Sequence, residues 1–159
     1  MKSLILGMGN PILSDDGVGL YVARALDGRF AGVDVRTCTL VGLGLLDIMA
    51  DYDQVFVIDA ILDGSRPPGT VVKLASGEGA LHLFSSHGMH FFEILQLGED
   101  AGIAVPKVAG IYGVVIGPEC PFGEALSPLL ALRQAEIVRQ IAADVDLGLK
   151  APAVILSPD

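Results

Sequence analysis

A chain of 159 residues has the length of one domain and is long enough to bury a core of its own. Hydrophobic residues make up 52% of it and charged residues only 18%, which excludes extensive disorder and is typical of α/β proteins whose central strands are buried on both faces. The formal net charge is −9 and the basic residues are scattered along the chain, so nucleic acid is excluded as an expected partner.

The apolar segments of the chain are short. Runs such as 55–58 and 114–116 fall far below the roughly 20 residues that a membrane-spanning helix needs. The apolar stretch that follows Met1 is also too short for the core of a secretory signal. We therefore expect a cytoplasmic protein with no membrane insertion, and a monomer by default. Cys38 and Cys120 lack C-x-x-C spacing, so reduced thiols are expected rather than a disulfide.

Apolar runs and helical patterns alternate along the first half of the chain. Leu4–Leu6 predicts a buried strand that enters a glycine-containing loop, and the apolar spacing behind Ser14 predicts a capped helix over about 16–28. Residues 33–37 alternate as a strand does and precede a short helix that ends before Asp53. The run 55–60 then predicts a buried strand that ends in a carboxylate, that of Asp59.

The second half continues the same alternation. A loop over 61–69 leads to a strand over 70–74, and residues 89–99 have helical spacing, which puts His87 just before a helix. A strand over 107–116 and an amphipathic helix over 125–145 follow. These elements predict a single α/β domain over residues 1–146, a three-layer α/β/α sandwich with a mainly parallel central sheet. A loosely ordered tail is expected over residues 147–159.

Acidic residues are expected where the parallel strands end, which is the edge at which open α/β sheets bind ligands. Asp15 is explained by capping of the helix that follows it. Because one cap suffices, we prefer a ligand role for its neighbour Asp16. Asp59 follows a buried run, where an isolated charge is costly unless it is paired, hydrogen-bonded or bound to metal. A loop-capping role is the structural alternative for Asp59.

The loop Gly7-Met8-Gly9, between a strand and a helix, resembles the start of a dinucleotide-binding fingerprint. The third glycine of that fingerprint is replaced by Ile12, and Pro11 removes a backbone donor. Asp15 and Asp16 put negative charge where a pyrophosphate would lie. These departures disfavour a nucleotide-binding module, which is kept as an alternative function.

Three histidines, His82, His87 and His90, lie close together in the sequence, and residue chemistry alone does not select one of them. Two carboxylates and one imidazole form a mixed oxygen and nitrogen donor set that suits nickel or zinc with open coordination positions. The combination is a weak signal by itself.

A long motif gives the sequence a more specific signal. Residues 7–19 read GMGNPILSDDGVG, which resembles the opening signature of the nickel-iron hydrogenase maturation protease family. The resemblance covers about residues 2–145 and continues through three shorter segments: Val57-Ile58-Asp59-Ala60, Pro68-Gly69-Thr70 and Ser85-Ser86-His87.

The resemblance also implies the roles of three residues. In that family a first-loop carboxylate, the Asp of the middle strand and the His of a Ser-x-His segment bind metal. These roles fall on Asp16, Asp59 and His87, and leave His82 and His90 incidental. Asp16 and Asp59 would also be the catalytic carboxylates.

The implied activity is that of a hydrolase, an endopeptidase that recognises nickel in the hydrogenase large-subunit precursor and removes its C-terminal extension. The nickel would largely be the substrate's own, and another divalent cation such as zinc or cadmium could occupy the site in vitro. Two mechanisms stay open. Either the three residues engage nickel and so position the peptide for attack by a metal-bound water, or the two carboxylates activate water directly in aspartyl-type chemistry. A non-enzymatic nickel-binding hydrogenase-assembly chaperone is the alternative function.

One segment departs from the family pattern. Many relatives resemble Asp-Gly-Gly-Thr after the second strand, whereas this chain has Thr37-Cys38-Thr39-Leu40-Val41-Gly42. No role of an Asp in that segment can be transferred. Cys38 adds a thiol near the expected site, but no histidine can be placed beside it, which argues against a nucleophilic role.

Overall fold

The computed structural model describes residues 1–39, 42–74 and 90–151. A five-stranded sheet forms the middle layer, with strands in the order β2-β1-β3-β5-β4. β1, β2, β3 and β5 are parallel, whereas β4 pairs antiparallel with β5. The strands are β1 (Ser3–Met8), β2 (Val33–Cys38), β3 (Gln54–Leu62), β4 (Val71–Lys73) and β5 (Lys107–Ile116).

Helices cover both faces of the sheet. α2 and α3 share one buried apolar cluster with the sheet, and α1 and α4 share the other. The single-domain α/β/α sandwich with a mainly parallel sheet is thereby confirmed. None of the described helices is long and apolar enough to cross a membrane. The helices are α1 (Val18–Leu26), α2 (Gly44–Met49), α3 (Phe91–Asp100) and α4 (Pro128–Lys150).

Two helix boundaries differ from those expected. The first helix begins as a 3-10 helix over Ser14–Gly17 and continues as α1 from Val18. α4 begins at Pro128, because Pro suits the first helical position and the Ser127 hydroxyl accepts a hydrogen bond from the Leu130 N–H at 3.4 Å. α4 then continues to Lys150, with Leu149 packed against the core, so the predicted start of a loose tail at residue 147 is wrong. Residues 152–159 lie outside the described residues.

A polar cluster joins β4, β5 and α4. The Tyr112 hydroxyl donates to Asp144 Oδ2 at 2.6 Å, and Lys73 Nζ lies 2.9 Å from the same oxygen. The hydrogen bond from Tyr112, followed by that from Lys73, lowers the pKa of Asp144. Burial, reinforced by Asp144, raises the pKa of Tyr112. The cluster therefore holds Asp144 ionised and the phenol protonated.

Asp144→Ala is expected to lower the free energy of unfolding by about 1–2 kcal/mol, because the buried Tyr112 hydroxyl loses a charged acceptor. Asp146→Ala on the same helix removes only an exposed pair with Lys150 and should change it by less than about 0.5 kcal/mol. Because the pKa of Asp144 is depressed in the folded state, its contribution is present above the unfolded pKa and is lost as the pH falls through the folded pKa. Urea unfolding of wild type and both variants at neutral and acid pH measures the loss of stability and its dependence on pH. Equal stability of the two variants at neutral pH would contradict the role of Asp144.

Candidate active site

The sheet register brings the end of β1 and the middle-strand carboxylate together. Gly7 is the register partner of Ile58, so Met8 and Asp59 follow at the same level. Met8 is opposite Cys38 on its other side, and Asp59 is opposite Gly113. These residues form one row across the carboxyl half of the parallel strands, as the sequence predicts for the first loop and Asp59.

Asp59 is 0% exposed and lies within β3, which continues to Leu62. The predicted strand end at residue 60 is therefore too early, and a loop-capping role does not fit a position inside a strand. Asp59 Oδ1 accepts the Ala60 N–H at 2.8 Å. The alternation of β3 places Asp59 on the α2 and α3 side of the sheet, where the neighbouring position on β5 is Gly113.

Asp16 lies in the 3-10 helix that follows the first loop and is only 9% exposed. The Asn10 N–H donates to Asp16 Oδ2 at 3.2 Å, and the Ile12 N–H donates to Asn10 Oδ1 at 3.1 Å. The Asp16 N–H donates to the Leu13 carbonyl at 3.1 Å. The first loop thus closes on the Asp16 carboxylate, which is oriented by a backbone donor.

Two glycines of the motif allow α1 to approach the sheet. A Cβ at Gly19 would lie 2.3 Å from the Met8 carbonyl oxygen and 2.6 Å from that of Ile58. A Cβ at Gly7 would lie 2.4 Å from the Gly19 carbonyl oxygen. The close helix-to-strand contact that a dinucleotide fingerprint obtains from its third glycine is made here by Gly19 instead of position 12.

The other two glycines pack the first loop against the 3-10 helix. A Cβ at Gly9 would lie 2.7 Å from the Asp16 carbonyl oxygen, and one at Gly17 would lie 3.0 Å from that of Asn10. Side chains at either position would separate these backbones. All four glycines of the motif therefore serve the placement of Asp16 beside the ends of β1 and β3.

Asp15 has a different role from the predicted helix cap. Its Oδ1 accepts the Ser127 N–H at 2.7 Å, and neither the 3-10 helix nor α1 has a side-chain cap. The carboxylate thus joins the 3-10 helix to the residue that caps α4. Sequence periodicity could not reveal this contact, because its two ends are 112 positions apart.

The segment before α4 returns to the first loop and brings Cys120 to the site. The Ser14 N–H donates to the Gly123 carbonyl at 2.8 Å, and the Gly123 N–H donates to the Ile12 carbonyl at 2.9 Å. Burial, with a smaller contribution from the Asp16 and Asp15 carboxylates, raises the pKa of the Cys120 thiol, against a hydrogen bond from the Asp16 N–H that lowers it. A raised pKa argues against Cys120 as a thiolate nucleophile. No sequence signal distinguished this residue.

Cys38 lies at the end of β2, opposite Met8, as its place near the expected site predicts. It packs against the apolar cluster on the α2 and α3 side, whereas Cys120 packs against the cluster on the other side of the sheet. The two cysteines do not form a disulfide.

Of the three histidines, His90 lies among the described residues. His82 and His87 lie outside the described residues, so the three-residue metal set stays a prediction. His90 is the N-cap of α3: its Nδ1 accepts the Phe92 N–H at 3.2 Å, and its own N–H donates to Glu93 Oε2 at 2.8 Å. Among the described residues no three His, Cys, Asp or Glu side chains are close enough to hold a metal ion. Asp16 and Asp59 supply carboxylate oxygens, which suit divalent cations.

A cleft of about 310 Å³ opens at the same edge of the sheet, where β3 and β5 end. One side carries the turn in which Asp63 Oδ1 accepts the Ser65 N–H at 2.9 Å and its hydroxyl at 2.6 Å. These hydrogen bonds, together with Arg66, lower the pKa of Asp63 to about 2. The cleft is lined by Leu62, Asp63, Arg66, Pro68, Ile116 and Pro118, among others.

Comparison with known proteins identifies the family. The model of the HycI hydrogenase maturation protease family matches residues 21–143, a range that includes Asp59 but begins after Asp16. The Hydrogenase 2 maturation protease of Escherichia coli (strain K12) is 31% identical over 121 residues, which cover 72% of this chain and 73% of that protein.

Solved structures have the same fold. The hydrogenase maturating endopeptidase HybD from E. coli matches with a TM-score of 0.72 and 23% identity, over 92% of this chain and 93% of that one. The [NiFe] hydrogenase maturation protease HybD from Thermococcus kodakarensis matches with a TM-score of 0.66 and 25% identity, over 91% and 99% of the two chains. On the family match and the sequence identity together, this chain belongs to the hydrogenase maturation protease family, whose members are endopeptidases.

Proposed function

We propose that this endopeptidase removes the C-terminal extension of a nickel-containing hydrogenase large-subunit precursor. The observation that carries the proposal is the fully buried Asp59 carboxylate, at the level of the sheet where β1 passes into the first loop that leads to Asp16. A buried carboxylate near the carboxyl ends of parallel strands is costly to keep and therefore typical of a functional group. Membership of a protease family favours an enzyme over the assembly chaperone.

The chemistry is a peptide-bond hydrolysis that Asp16 and Asp59 would assist. Water adds through its oxygen to the carbonyl carbon, the C–N bond breaks, and a proton is delivered to the leaving amine. One carboxylate in its ionised form can accept the proton of the water, and a protonated carboxyl group can donate one to the amine. Two carboxylates supply both roles only if their protonation states differ.

Nickel enters this proposal as part of the substrate. The oxygens of Asp16 and Asp59, together with the imidazole that the family resemblance assigns to His87, form a donor set that suits nickel. Engagement of the metal by these residues would hold the scissile peptide at a fixed place relative to the carboxylates. Binding of the metal would then raise the effective concentration of the peptide at the reacting groups. The carboxylate-pair mechanism needs no metal, and this difference makes the two mechanisms separable.

Nickel-loaded precursor is expected to be cleaved about 10²-fold faster than nickel-free precursor, because loss of the metal removes the positioning of the peptide. The measurement mixes the purified protein with each form and follows loss of the C-terminal peptide by mass spectrometry. Nickel-free precursor to which nickel is restored serves as the control for damage during metal removal. Equal rates for the two forms would exclude nickel recognition and leave the carboxylate-pair mechanism.

A further inference from the structure

Two large apolar side chains are exposed next to the candidate active site. Phe122 is 86% exposed and Ile12 is 48% exposed, whereas Phe56 and Phe91 are fully buried in the core. An isolated parallel bridge pairs Leu13 with Gly123, so Ile12 and Phe122 occupy neighbouring positions in register. We call these two residues the Ile12–Phe122 ridge.

Backbone hydrogen bonds hold the ridge in place. The Gly123 N–H donates to the Ile12 carbonyl at 2.9 Å, the Ser14 N–H donates to the Gly123 carbonyl at 2.8 Å, and Asp15 accepts the Ser127 N–H beyond them. Phe122 is therefore presented to solvent from an anchored segment. Exposing large apolar side chains forgoes the free energy that their burial would contribute, and preorganised aromatic anchors are typical of protein-binding hot spots.

The ridge adjoins the groups that the proposed reaction uses. Ile12 is bound through its N–H to Asn10, whose own N–H is bound to the Asp16 carboxylate. Residues 9–13 carry no charge, and the segment 117–124 carries two acidic residues, Glu119 and Glu124, in a chain with a net charge of −9. The exposed side chains of the ridge itself are apolar and match an apolar area of a substrate protein. The acidic residues that flank it disfavour a second copy of this acidic chain, because like charges repel.

We propose that the Ile12–Phe122 ridge docks the folded hydrogenase large-subunit precursor through an apolar patch next to the bond that is cut, an inference that rests on the proposed function. The ridge then supplies affinity for the substrate protein, and the carboxylates supply the chemistry. The family motif would thus contribute two things from one loop, Asp16 for the reaction and Ile12 for docking.

The test compares wild type with Phe122→Ala and with Leu132→Ala, a control whose residue is 83% exposed on α4. Phe122→Ala is expected to raise KM for nickel-loaded precursor about 10-fold, with kcat changed less than about 2-fold, because truncating a hot-spot aromatic weakens binding by that order. Ile12→Ala should act in the same direction, and Leu132→Ala should match wild type. Thermal unfolding should be unchanged in Phe122→Ala, because the side chain is exposed.

Direct binding separates failure of the docking surface from failure of the proposed function. Calorimetry measures the Kd of each variant for the purified precursor, whether or not cleavage occurs. If wild type cleaves the precursor and Phe122→Ala has the same KM and Kd, the docking surface is overturned and the proposed function stands. If wild type binds but does not cleave, the proposed function fails, and a weaker Kd of Phe122→Ala still supports docking. Concentration-dependent dimerisation that Phe122→Ala abolishes, or no binding by wild type, would overturn the docking surface.

Discussion

Asp59→Asn is expected to reduce cleavage of the hydrogenase precursor by about 10²–10⁴-fold, the usual effect of removing a group that transfers protons in the transition state. In the wild-type protein Asp59 Oδ1 accepts the Ala60 N–H at 2.8 Å. Asn keeps the size of the side chain and an oxygen that can accept the same hydrogen bond. It cannot take up or deliver a proton in the reaction. Asp16→Asn should have an effect of the same order, and both variants should retain a cooperative unfolding transition. Single-turnover cleavage followed by mass spectrometry measures the loss.

Asp15→Asn is the matched control for Asp16→Asn, because the two residues are adjacent in the sequence and similarly buried, at 8% and 9% exposed. Asn at position 15 can still accept the Ser127 N–H, so the contact between the 3-10 helix and α4 is kept. Its cleavage rate should stay within about 3-fold of wild type, because Asp15 transfers no proton in the proposed reaction and its contact with Ser127 is kept, so the loss expected from removing a proton-transferring group is absent. Full activity of Asp59→Asn, or equal losses in Asp15→Asn and Asp16→Asn, would contradict the assigned roles.

Gly19→Ala is expected to lower the free energy of unfolding by about 3 kcal/mol, at the upper end of overpacking effects. The added methyl group would lie within 2.6 Å of two backbone carbonyl oxygens, those of Met8 and Ile58, and no side-chain rotation can relieve the contact. α1 would have to move away from β1 and β3. Because Asp16 lies in the 3-10 helix that leads into α1, the displacement should also reduce cleavage. Urea unfolding and the cleavage assay measure the two effects.

Gly44→Ala is the control for this substitution. Gly44 begins α2, and nothing lies within 4 Å of where its Cβ would be. Alanine there should leave stability unchanged or raise it by up to about 1 kcal/mol, because Ala restricts the unfolded chain and favours the helix. A Gly19→Ala variant as stable as Gly44→Ala would show that α1 adapts to a side chain at its contact with the sheet.

Local sequence patterns predicted most of the fold because each element satisfies a local rule. The limits of β5 match the predicted strand over 107–116, and β1 and β3 extend their predicted apolar cores by a few residues. The predicted boundaries of α4 are wrong at both ends. At its start the capping group of Ser127 and the ring of Pro128 override the apolar spacing, and at its end Leu149 still packs against the core. Apolar periodicity indicates which residues are buried, and does not indicate which side chain caps the end of a helix.

The sequence by itself determined the α/β class, the sheet edge to which Asp16 and Asp59 belong, and the family resemblance that the comparisons confirm. Only the tertiary structure decided that Asp15 binds Ser127, that Cys120 faces Asp16, and that Phe122 stands beside Ile12. These contacts join positions more than a hundred residues apart, and they depend on the path of the segment between β5 and α4. That path is set by packing and by backbone donors and acceptors, which carry no periodic signal in the amino-acid sequence.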